Sequence, residues 1–272
     1  MITYARKPER APGRPVNVPG FLSFKYAPGS ATTDQIQDRG CGGVSVEPEF
    51  QDGPGICAVR QFASTVVACA VLIWSVSLPA QDVPGCGALQ NAYGPFDYRD
   101  PVNKRDNLPI VETFHFTPGV ESLREGTSGT VLGDLKYTLR AFPNHHRALR
   151  SIARYALEGG HFAYNDTIPS ADCYFERAIA FRPDDEAVHV IYANYLFKRG
   201  ELAQAREQYE EALRLAPGSV EINYVAGLFF VAAGDLVRAK ELAKIAYDGG
   251  YPLPGLKNKI AAAEKSTKSN SK

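Results

Sequence analysis

The chain has 272 residues, room for one large domain or two small ones, and its 30 basic and 30 acidic side chains cancel, so no global field draws it to nucleic acid or to an anionic membrane. Its five cysteines form no C-x-x-C pair, which excludes the common structural zinc ribbons and fingers. A hydrophobic content of 44% supports a packed core, but 24 Gly and 19 Pro exceed what a compact all-helical chain needs, so part of the chain is expected to be irregular.

Glycine and proline crowd the start. Residues 1–58 contain only brief apolar runs and are expected to be disordered or a spurious upstream extension, because such a segment cannot bury enough apolar surface to offset its ordering entropy. Val59, a residue that a bacterial GTG start codon would encode when read internally, precedes Arg60 and an uncharged stretch from Phe62 to Ala80 centred on Val71, Leu72, Ile73 and Trp74. Residues 59–80 therefore read as a signal peptide, with Leu78, Pro79 and Ala80 as the cleavage site, or as an uncleaved anchor. Either reading puts residues 81–272 outside the cytoplasm, periplasmic or secreted in the first case and membrane-anchored in the second. Membrane contact is expected only through residues 62–80, if they are retained.

Residues 81–129 hold aromatics separated by turn residues, such as Tyr93, Phe96, Tyr98, Phe114 and Phe116, without a lasting period of 2 or 3.6. They are expected to form an irregular lead-in that packs its rings on the next domain. Cleavage after Ala80 leaves two cysteines, Cys86 and Cys173, and an even count in an oxidising compartment favours a disulfide between them.

From Thr130 the pattern turns helical and repeats at 34 residues. Ala171, Ala205 and Ala239 align, as do Phe175, Tyr209 and Ala243, then Ala178, Ala212 and Ala246; Gly200 aligns with Gly234, Ala193 with Gly227 and Pro183 with Pro217. Small residues let two antiparallel helices approach, an aromatic fills the space between them, and proline ends the second helix. This is the length of a helix–turn–helix solenoid unit. These positions resemble the tetratricopeptide repeat family over about residues 148–252, with the second repeat nearest the family pattern. The first departs from it through a longer turn at residues 159–170, and residues 134–143 look like the second helix of an incomplete preceding repeat. The resemblance implies an all-α fold, a helical solenoid of about three repeats over residues 130–264. Residues 256–264 would form its capping helix and residues 265–272 a disordered tail.

Arg147, Arg150 and Arg154 lie on one face of the helix expected from residue 147. By the resemblance they line a concave groove together with Asn194 and Lys198 of the second repeat and Tyr224 and Leu228 of the third. The groove would be basic at one end and apolar at the other, suited to a peptide or a partner's tail. The competing reading is an envelope-assembly scaffold whose own lead-in fills the groove while the partner meets another face. His145, His146, His161 and His189 lack ligand spacing and are expected to start or pack helices, so no metal and no cofactor are expected. The runs Asp184, Asp185, Glu186 and Glu210, Glu211 are expected to be solvated. No G-x-S-x-G, H-E-x-x-H, P-loop or G-x-G-x-x-G occurs, and binding to a protein partner, without catalysis or nucleic acid, is the expected activity of an exported bacterial protein.

Overall fold

The computed structural model describes residues 82–163 and 167–270, and the expectations for residues 1–58 and for the apolar stretch at 62–80 lie outside them. Among the described residues the regular structure is all helical, and no helix is long and apolar enough to cross a membrane. Three helix pairs stack in sequence: α5 (His146–Leu157) with α6 (Ala171–Phe181), α7 (Glu186–Arg199) with α8 (Leu202–Leu215), and α9 (Val220–Ala232) with α10 (Leu236–Asp248). The 34-residue register has a direct physical basis, because Ala171, Ala178, Ala205, Ala212, Ala239 and Ala246 are all sealed at helix contacts. Phe175 and Tyr209 fill the same site in successive pairs, both fully buried. Each first helix begins on a side-chain cap: His145 for α5, Asp185 for α7 and Ser219 for α9 accept a backbone N–H three residues on. Gly200 ends α7 at φ 83°, a left-handed conformation that a β-carbon would strain.

The two ends of this stack are covered differently. At the back, α11 (Gly255–Asn270) lies on α9 and α10, with Leu256 and Ile260 buried. A β-carbon on Gly227 of α9 would come within 2.6 Å of Leu256, so the close approach of α11 needs glycine there. The tail expected to be disordered from residue 265 is instead helical as far as Asn270: the stretch holds no Gly or Pro to stop it, and the Ser266 and Thr267 hydroxyls bond back to the Ala263 carbonyl.

At the front, the segment expected to be irregular contains three short helices, α1 (Pro101–Asp106), α2 (Leu108–His115) and α3 (Pro118–Glu121), before α4 (Val131–Ala141). Each of the three carries its proline at the first or second position, where the missing N–H has no intrahelical partner to lose. In the sequence the same prolines look like breaks; in the fold they are starts. Helix α4, capped by Thr130, precedes the first pair, and α2 packs on it. Val111 of α2 meets Ala141 and Phe142 at the end of α4, with Tyr93, Phe96 and Tyr98 packed around them.

Candidate functional site

The arginine face of α5 is already occupied. Arg147 grips the Glu121 carboxylate at the end of α3 with both arms of its guanidinium, through Nε at 2.9 Å and Nη2 at 2.5 Å, while Nη1 donates to Glu112 of α2 at 3.0 Å. Its charge also rests over the Phe116 ring, 5.1 Å from the centroid. Ser151 and Arg154, one and two turns along, donate to the Glu121 backbone carbonyl at 3.0 and 2.8 Å. The hydrogen bonds from Arg147 hold the Glu121 carboxyl below the usual carboxylate range, and Glu121 in turn holds Arg147 firmly protonated. Arg150 is half-buried, and its charge, with that of Arg147, opposes the rise that burial imposes on the Tyr98 hydroxyl.

Beside this grip lies a buried polar joint. Asn144, fully buried in the turn between α4 and α5, donates its amide to Asp97 at 2.7 Å and to Asp185 at 2.8 Å, and its carbonyl accepts the Tyr98 N–H at 2.9 Å. Asp185 also takes His146 Nε2 at 2.9 Å, and Asp97 pairs with Arg182 at 2.8 Å. Burial alone would raise the Asp185 carboxyl; the bonds from His146 and Asn144 and the charge of Arg99 hold it below its ordinary value instead. His145 is fully buried against Tyr98 and Phe116. Its Nδ1 accepts the Ala148 N–H, so the ring proton sits on Nε2 and points at Glu112, 3.1 Å away, and burial pushes its pKa down. The Asp184, Asp185, Glu186 run is therefore not a solvated face throughout, since Asp184 is 64% exposed and Asp185 is sealed.

A third attachment lies on α6. The Cys86 and Cys173 sulfurs stand 1.96 Å apart with their Cα atoms at 5.1 Å, a disulfide across 87 residues. One turn on, the buried Arg177 points Nη1 at the carbonyls of Cys86, Gly87 and Ala88, at 3.3, 2.7 and 2.6 Å. Cys86, Cys173 and Glu176 also have ligand atoms within 4.8 Å of one another, but sulfurs bonded to each other have no thiolate to offer a metal.

The remaining groove candidates fall elsewhere. Asn194 of α7 is held within the protein, donating to the Val190 carbonyl at 2.8 Å and accepting the Tyr209 hydroxyl at 3.0 Å. Lys198 is exposed at the end of α7, and Leu228 is half-buried against the core. Tyr224 is only 3% exposed, stacked on Tyr251 at 4.1 Å and covered by the start of α11, so it does not line an open surface. The candidates thus separate into the α5 face around Arg147 and Arg154, a fixed amide and an exposed lysine on α7, Tyr224 under the start of α11 and Leu228 against the core. The partners that fill the front, Glu112, Glu121, Asp97 and Asn144, were legible only as scattered polar residues; the one available signal was the recurring Pro143, Asn144 and Pro183, Asp184 at equivalent turns.

Residues 186–229, spanning α7, α8 and most of α9, match the family profile of the tetratricopeptide repeat. No curated protein matches the chain.

Proposed function

Because this is a tetratricopeptide-repeat protein, a kind of chain built for protein–protein interaction, we propose that it works as a non-enzymatic scaffold outside the cytoplasm. In this reading its own lead-in fills the arginine end of the concave face and its protein partner docks elsewhere on the solenoid. The observation that carries this is the grip on Glu121: Arg147, Ser151 and Arg154 spend their donors on a residue of the same chain. An acidic peptide tail arriving at this end would have to displace a bidentate carboxylate and strip the cap from α3. The Cys86–Cys173 bond favours an oxidising compartment, which agrees with the export expected from residues 59–80.

The test is a charge swap. Arg147→Glu should lower the melting temperature and speed amide exchange across α2 and α3, and Arg147→Glu with Glu121→Arg should recover much of both. If Arg147→Glu leaves melting and exchange as they are, the arginines are free to serve a ligand, and the groove of Arg147, Arg150, Arg154, Asn194 and Lys198 returns as the binding site.

A further inference from the structure

On the side of the solenoid formed by the second helices, α6 and α8 stand apart and leave a cleft of about 400 Å³ over α7. Its floor is apolar, made by Ile179, Leu196 and the ring of Tyr192, and Val83 of the lead-in closes one end. Its polar lining is Glu176 from α6 with Glu207, Gln204 and Gln208 from α8. Arginines elsewhere on the surface are mostly paired, as Arg199 is with Asp172, Arg206 with Asp235 and Arg238 with Glu210. Glu176 and Glu207 have no basic side chain within ion-pairing distance among the described residues. Cys86 Sγ lies 3.4 Å from the Glu176 carboxylate, and a disulfide sulfur has no proton to donate. Burial, and then Asp172 one turn back, raise the Glu176 carboxyl, the sign of a negative charge lacking a counter-charge.

We propose that this cleft is the docking point for a basic side chain of a protein partner, an arginine or lysine flanked by apolar residues. Its methylene stem would lie on Ile179, Leu196 and Tyr192, and its charged head would sit between Glu176 and Glu207. Such side chains combine an apolar stem with a cationic tip, matching the apolar and acidic parts of the lining. This inference rests on the reading that the partner docks away from the arginine end, and adds where it docks and by what chemistry.

The probe is the blocked pentapeptide Gly-Leu-Arg-Leu-Gly and its citrulline twin, which keeps the shape of arginine without the charge. Titrated into the oxidised protein and followed by backbone amide shifts, the arginine peptide should move residues 176–180 and 204–208. It should bind about tenfold more tightly than the citrulline peptide, a preference that fades with salt. Glu176→Gln with Glu207→Gln should remove the preference while leaving the melting temperature unchanged; Glu207→Gln alone, at an exposed and unpaired position, serves as the milder variant. Equal affinity of the two peptides, shifts confined to other elements, or a preference that survives in the variants would each overturn the proposal. None of these results bears on the Arg147 and Glu121 swap, so failure here leaves the filled front end standing.

Discussion

At the front of the solenoid, carboxylates, an asparagine and a histidine are buried between the lead-in and the first two repeats, and a disulfide ties the lead-in to α6. At the back, α11 lies on α9 through Leu256, Ile260 and the stacked rings of Tyr224 and Tyr251. Lys240 of α10 pairs with Glu264 of α11, both of them exposed. Both covers answer the same need, since a terminal repeat has a hydrophobic face that no neighbour covers. The back cover works by fit and area, with no disulfide and no buried charge among the described residues. The front cover works by directed bonds between charged groups, so it fixes one arrangement and responds to acid and to reductant.

The largest expected effect is at the hub of the front joint. Asp185→Ala takes one of the two acceptors of Asn144 and the acceptor of His146 and removes the cap of α7, and should cost about 3–5 kcal/mol in denaturant unfolding. A loss near zero would mean that apolar packing around Phe142 holds the front. Leu256→Ala is the corresponding break at the back: a cavity beside Gly227 should cost about 2–5 kcal/mol, with the acid sensitivity of the protein unchanged. If Leu256→Ala alters the acid response as well, the two ends are coupled through the repeats. Replacing Cys86 and Cys173 by serine should cost about 2–4 kcal/mol and show first as faster amide exchange in residues 82–100, with α9 to α11 unaffected.

The smallest effect is the acid response. His145 has a folded pKa below its usual 6.5, so the unfolded chain takes up the proton first as pH falls through that value. Stability should therefore decline from about pH 6.5 downward until the folded pKa is passed. Asp97, Asp134, Asp185 and Glu121 have lowered folded pKa values; their contributions are complete above the ordinary carboxylate range near 4 and are lost as pH falls through the folded values. Amide protection factors, each taken relative to the intrinsic exchange rate at its own pH, should fall from pH 7 to 4 in α2, α3 and the α4–α5 turn while the α9–α11 seam keeps its protection. A uniform fall in protection would show that the front joint does not open as a unit.

The same contrast explains what the amino-acid sequence discloses. The repeats were legible because one geometric demand, close helix approach, admits few residues and returns every 34 positions: Ala205, Tyr209, Ala212 and Pro217 each have a single job. The lead-in was harder, because Pro101, Pro109 and Pro118 break or begin a helix depending on the residues C-terminal to them. Glu121 and Asp185 look like any surface carboxylate until distant parts of the chain enclose them. Tyr224 fits a groove position by register, yet α11 lies over it, and register within one repeat carries no information about the cap at the end of the stack.

The attachment of the lead-in has one more consequence, for the order in which the chain is built. The repeats are local structures, each pairing with a neighbour some thirty residues away, and they can form as they leave the ribosome. The lead-in cannot: its bonds to Asp184, Cys173 and Arg177 span 85 to 91 residues, so residues 86–99 have no complete partner until α6 and the turn after it have been made. Within a fold of low contact order, the front seal is its one high-contact-order step, and synthesis from the N-terminus leaves that step waiting for sequence still to come.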